Sequence, residues 1–74
     1  MLNIGEKMNY SIFATNAEKN SFYDFLKRIR EDATEKKFEY SQFYMEYTYV
    51  TPYGVFHYSE DDDNGIPSSI ERVA

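Results

Sequence analysis

Apolar residues recur along this chain with two different periods, and the change from one to the other divides it. From Phe22 they fall at Phe22, Phe25, Leu26, Ile29 and Ala33, the stripe with a period of about 3.6 that marks an amphipathic helix. Thr15 and Glu18 precede it as a T-x-x-E capping box, in which the hydroxyl accepts from a free backbone N–H and the carboxylate reaches back to the cap. Asp24 with Arg28 and Lys27 with Glu31 add favourable i,i+4 pairs on the wet side. A helix over residues 16–35 is predicted, with Lys36 and Lys37 at its negative end. Past that point the period becomes two. Phe43, Met45, Tyr47 and Tyr49 alternate with Tyr44, Glu46, Thr48 and Val50, as in a strand.

Phe38 and Tyr40 stand in the opposite phase, which a bulge or bend near Ser41-Gln42 would reconcile. Thr51-Pro52-Tyr53-Gly54 has Pro and Gly at the second and fourth positions of a type I turn. Residues 55–59 then return as a hairpin partner, with Phe56 and Tyr58 facing Phe43 and Tyr47. A short strand over 9–14, carrying Tyr10, Ile12 and Ala14 on one face, precedes the helix. Residues 60–65 read as a solvated acidic loop, and Ser68 or Ser69 as the cap of a last helical turn through Val73. The expected fold is a two-layer α+β domain over residues 1–74. One amphipathic helix packs on a small three-stranded sheet in the order strand-helix-strand-strand, followed by a short acidic C-terminal tail. If the two strands flanking the helix are parallel neighbours, their crossover is right-handed.

Charge sharpens this picture because it is segregated. The chain has 74 residues and a formal net charge of −5. Residues 38–74 hold Arg72 alone against Glu39, Glu46, Glu60, Asp61, Asp62, Asp63 and Glu71, and the same stretch carries most of the aromatics. An acidic surface disfavours direct contact with nucleic-acid phosphate, which needs a basic stripe. It suits a basic protein partner instead. The eight tyrosines exceed what one helix and three strands can hide, so Tyr40, Tyr44 and Tyr53, out of phase with the core set, are expected at the surface. Exposed tyrosines beside carboxylates read as an interface. Surplus aromatics and free sheet edges also lead to the expectation of a homodimer. With no cysteine, disulfides and thiolate metal sites are excluded, and a cytoplasmic location fits. No basic region followed by an apolar run opens the sequence, so neither secretion nor membrane spanning is expected.

Chemical motifs are weak. Glu60, Asp62, Asn64, Gly65 and Glu71 fall at positions of an EF-hand loop. Position 1 is Glu instead of Asp, Pro67 lacks the N–H that pairs two such loops, and a strand precedes the segment where a helix should. An acidic turn containing Asn-Gly explains the run. His57, the lone histidine, has Phe56 and Tyr58 beside it and no nucleophile and orienting group in sequence reach, so it reads as a surface histidine on the outer face. Gln42, Met45 and Tyr49 match part of the peptide motif that docks on sliding clamps, yet the spacing is also that of strand alternation. No enzymatic activity, metal or cofactor is expected. The partner-binding surface is assigned to Glu39, Glu46, Glu60, Asp61, Asp62 and Asp63, with Tyr44 and Tyr53 as packing anchors.

In length, charge and Tyr/Asn/Lys-rich texture the whole chain resembles small acidic phage-encoded proteins that disable host enzymes, among them the sliding-clamp inhibitors of Twort-like staphylococcal phages. That resemblance implies a dimeric DNA mimic, lodged in the DNA channel of a basic DNA-binding host protein such as the sliding clamp, acting in the host cytoplasm and blocking DNA loading. The alternative is a homo-oligomeric interaction or regulatory module whose acidic face only confers solubility.

Overall fold

Residues 7–74 are described by the computed structural model, and they form one helix and five strands. In chain order these are β1 (Lys7–Asn9), α1 (Asn16–Asp32), β2 (Glu35–Tyr40), β3 (Tyr44–Thr51), β4 (Gly54–Asp61) and β5 (Pro67–Arg72). The sheet is antiparallel throughout, in the order β1-β5-β4-β3-β2. The fold is therefore α+β with a five-stranded sheet, and the expected three-stranded sheet is corrected on two counts. The segment 35–40 is a strand of its own, and the C-terminal segment is a strand where a helical turn was expected. The first strand lies at 7–9 and not at 9–14, since a turn closed by Ala14 N–H donating to Ser11 C=O at 3.0 Å follows it. No parallel pair exists among the described strands, so the crossover question does not arise.

The phase switch between Phe38 and Met45 has a simple cause. Phe38 pairs with Tyr47 and Tyr40 with Met45, so even positions of β2 share a face with odd positions of β3. Any antiparallel reversal whose paired numbers sum to an odd value changes parity this way. Ser41-Gln42, where a bulge or bend is expected, belong to the hairpin turn itself, closed by Ser41 N–H donating to Tyr44 C=O at 2.8 Å. Between β3 and β4 the same arithmetic sets Tyr49 opposite Phe56 and Tyr47 opposite Tyr58. Phe43 is not Phe56's partner; it lies in the β2–β3 turn. The following turn is where it was expected, with Thr51 Oγ1 donating to Gly54 C=O at 2.7 Å. Gly54 has φ +149° and an added Cβ there would lie 2.7 Å from Arg72 Nε. Only glycine meets both conditions at low strain.

The capping box forms as read. Glu18 N–H donates to Thr15 Oγ1 at 3.2 Å and Thr15 N–H donates to Glu18 Oε1 at 3.1 Å. The helix stops at Asp32 and not near 35, because Ala33 is extended and Thr34 N–H is captured by Val50 C=O at 2.8 Å. Its stripe of Phe22, Leu26 and Ile29 is buried against Tyr49, Phe56, Tyr58 and Ile70. Edge-on ring contacts complete the layer, Phe25 to Phe56 at 5.5 Å and Tyr10 to Phe22 at 5.4 Å between centroids. The helix thus sits over the middle of the sheet, and every residue of β2 remains exposed.

Two expected outcomes follow from this core. Phe56→Ala should lower the unfolding free energy by about 3–5 kcal/mol, the usual cost of truncating a buried Phe, measured by urea denaturation. The Glu18 carboxyl is held below its ordinary pKa by the Thr15 backbone N–H and then by the Thr15 hydroxyl. A depressed folded-state pKa contributes stability above the unfolded value and loses it as pH falls through the folded value. The stability gap between the wild type and Glu18→Ala should therefore be largest at neutral pH and narrow on acidification below the usual carboxylate range.

Candidate functional site: the open sheet face and its acidic end

Alternation sends one set of sheet side chains to α1 and the other to the uncovered face. Two neighbouring polar rows form the middle of that open face, between the Tyr44–Asp61 pair on one side and the apolar Val50–Val55 pair on the other. In the first, Glu39, Glu46, Ser59, Ser69 and Asn9 lie side by side across all five strands; in the second, Lys37, Thr48, His57, Glu71 and Lys7 do. Nothing apolar stands in either row. Glu39 and Glu46 are direct cross-strand neighbours, an arrangement that costs a folded sheet because like charges face one another at close quarters. Each has an opposite neighbour nearby. Lys37 Nζ lies 3.2 Å from Glu39 Oε1, and His57 Nε2 lies 3.3 Å from Glu46 Oε1.

His57 is accordingly on the outer face, with Glu46 and Glu71 around it. A depression of about 330 Å³ on this face is lined by Lys7, Tyr44, Glu46, His57, Glu71 and the serines of the β4–β5 pair. The Ser59 and Ser69 hydroxyls bond to each other at 3.2 Å, so neither is oriented by His57 as a nucleophile would be.

At one end of the sheet the chain adds apolar and acidic groups together. The β2–β3 turn, the β4–β5 loop and the turn before α1 all emerge there, as the antiparallel order requires. Asp62 N–H donates to Phe43 C=O at 3.3 Å and Tyr40 O–H donates to Asp62 Oδ2 at 2.6 Å, joining the first two. Asp61 Oδ1 accepts from the Asp63 and Asn64 N–H groups at 2.7 and 3.3 Å. Phe13, Phe43, Ile12, Tyr40 and Ile66 are exposed at this end, Phe13 to 91%. One oxygen from each of Asp61, Asp62 and Asp63 lies within 4.8 Å of the others, but two of these carboxylates already hold the loop together. The EF-hand positions do not converge. Glu60 points to the helix side, where it accepts from Tyr58 O–H at 3.0 Å, while Glu71 lies on the open face opposite His57.

The assigned surface residues therefore separate into three places. Glu39, Tyr44, Glu46 and Asp61 share the open face, Asp63 lies in the loop at its acidic end, and Asp62 is turned to Tyr40 of the helix-side set. Glu60 is on the other face. Tyr53 is at the opposite end of the sheet, its hydroxyl donating to Asp32 at 3.1 Å. Sequence reasoning missed the Glu46–His57 pair and the contribution of Lys7 and Glu71, because only strand register brings them together. Comparison with protein-family models, curated proteins and solved structures gives no match to this chain. Among the described residues no helix is long and apolar enough to cross a membrane.

The Tyr40–Asp62 bond should tie the acidic loop to the hairpin turn. Tyr40→Phe is expected to raise amide exchange at Asp62–Asn64 while moving the melting temperature by no more than about 4–8 °C, since one exposed hydrogen bond is worth about 1 kcal/mol or less.

Proposed function

We propose that this protein is a non-catalytic binding module that presents its open acidic face to a basic, DNA-handling partner and competes there with DNA. The observation carrying the proposal is the in-register pair Glu39 and Glu46. Both side chains lie on the face turned away from α1, and the same face continues through Tyr44 and Asp61 towards the loop that carries Asp63. A second acidic side chain set against a first is costly for a free sheet and useful to a surface meant to receive lysine and arginine.

Carboxylates spaced along strands can replace phosphates opposite a Lys/Arg-lined channel, and their pairing releases the ions that screened both surfaces. Tyr44 and the neighbouring Phe43 supply apolar contact beside the charges, the combination from which binding hot spots are made. The resemblance to phage host-takeover proteins makes the sliding clamp the first partner to try.

Replacing Glu39, Glu46 and Asp63 together with Lys avoids the two aspartates that shape the loop. The triple variant should keep its helical and sheet circular dichroism. It should also lose the ability to displace a fluorescent duplex from purified sliding clamp, or from a basic protein captured by the wild type. Wild-type displacement should weaken steeply with salt. A folded triple variant that displaces the duplex as well as the wild type would defeat the proposal.

A further inference from the structure

β2 is an edge strand with one partner. Its outer side carries the alternate backbone N–H and C=O groups of a six-residue strand, unpaired with any described strand, and such an edge is a template for another strand. On its helix side β2 is exposed along its length, and Phe38, 52% exposed, sets its ring against Tyr47, at 5.1 Å between ring centroids. An aromatic row, Tyr58, Tyr47 and Phe38, with 5.9 Å between the first two centroids, runs to the edge of the sheet and ends there uncovered.

We propose that a second copy of this chain covers this edge, β2 pairing antiparallel with β2 of the partner about a two-fold axis at Phe38. The strand's own charges choose this register. A two-fold axis normal to the sheet sets one residue opposite its own copy. At Lys36, Lys37 or Glu39 that would place identical charges in contact, and at Glu35 or Tyr40 the overlap would run off the strand. Phe38 is the one uncharged residue inside Glu35–Tyr40. With Phe38 on the axis, Lys37 faces Glu39 of the second copy and Glu39 faces its Lys37. Lys36 meets Tyr40 on the helix side, and the two Phe38 rings extend both aromatic rows into one. Glu39, which within one copy stands against Glu46, gains a cation directly across from it. The charged edge that would otherwise deter strand addition becomes self-complementary in this register alone.

Because the axis is normal to the sheet, the product is a continuous ten-stranded sheet with both helices on one side and both open faces on the other. The acidic rows of the two copies then meet at the axis. The dimer is argued from the edge itself and does not depend on what the acidic face binds.

Sedimentation equilibrium and cysteine cross-linking test the proposal. The wild type should be dimeric at tens of micromolar. Lys37→Glu should raise the dimer dissociation constant roughly tenfold or more, since it creates two like-charge cross-strand pairs, and the double variant Lys37→Glu/Glu39→Lys should restore it. The chain has no cysteine of its own, so Phe38→Cys should form an intermolecular disulfide on mild oxidation. Lys37→Cys should not, because its neighbour across the axis is Glu39. Circular dichroism should be unchanged in all four variants, β2 being exposed along its length. A monomer at hundreds of micromolar would overturn the proposal, as would failure of the double variant to regain what Lys37→Glu loses. So would cross-linking through Lys37→Cys in preference to Phe38→Cys.

Discussion

One helix has to cover a sheet wider than itself, and most of the molecule's surface follows from that mismatch. Five strands spaced about 4.8 Å apart span roughly 19 Å between the outer two, whereas a helix with its side chains is about 10–12 Å across. The stripe of Phe22, Leu26 and Ile29 can therefore bury side chains of the central strands only, and it does so on Tyr49, Phe56, Tyr58 and Ile70. β2 is left outside the core on the helix side, and no described element covers the opposite face. The polar rows on that face and the uncovered aromatics of β2 are two consequences of the same geometry.

Tyrosines make so small a core workable. Their rings bury like phenylalanine while the hydroxyl reaches a partner at the edge of the layer. Tyr49 accepts from Arg30 Nε at 3.1 Å, and Tyr58 donates to Glu60 at 3.0 Å with the Arg30 guanidinium 5.3 Å from its ring centroid. Burial, the Glu60 bond and the Glu60 charge together push the Tyr58 hydroxyl well above its ordinary pKa, so the ring stays neutral and remains a donor. Glu60, one of the carboxylates assigned to the partner surface from sequence, is thereby engaged at the margin of the core.

How much of this was legible depended on whether the signal was local. Thr15 and Glu18 sit within four residues of each other, and the stripe from Phe22 to Ile29 spans two helical turns, so the helix could be read directly. The turn around Pro52 and Gly54 was local too. β2 was hidden because Lys36-Lys37 suits a helix terminus as well as a strand edge, and its apolar positions are two, Phe38 and Tyr40. β5 offers Pro67 and Ile70 as its buried apolar residues, too few to show alternation, and between them stands Ser68-Ser69, which also suits a helix cap. Alternation correctly sent His57 outward, but its neighbour Glu46 lies eleven positions away, and only the β3–β4 register joins them. Charge segregation was visible without any structure, although it gave no sign that Glu60 and Tyr53 would leave the group.

The division between the two faces also bears on how such a protein can change over generations. Glu39, Glu46, Thr48, His57 and Glu71 contribute to no part of the buried cluster, so substitutions among them leave the packing of Phe56 and Ile70 untouched. Selection for a new target can act on that face almost independently of selection for folding. The interior answers to one constraint and the exterior to another, and the exterior is free to drift quickly while the architecture beneath it stays the same.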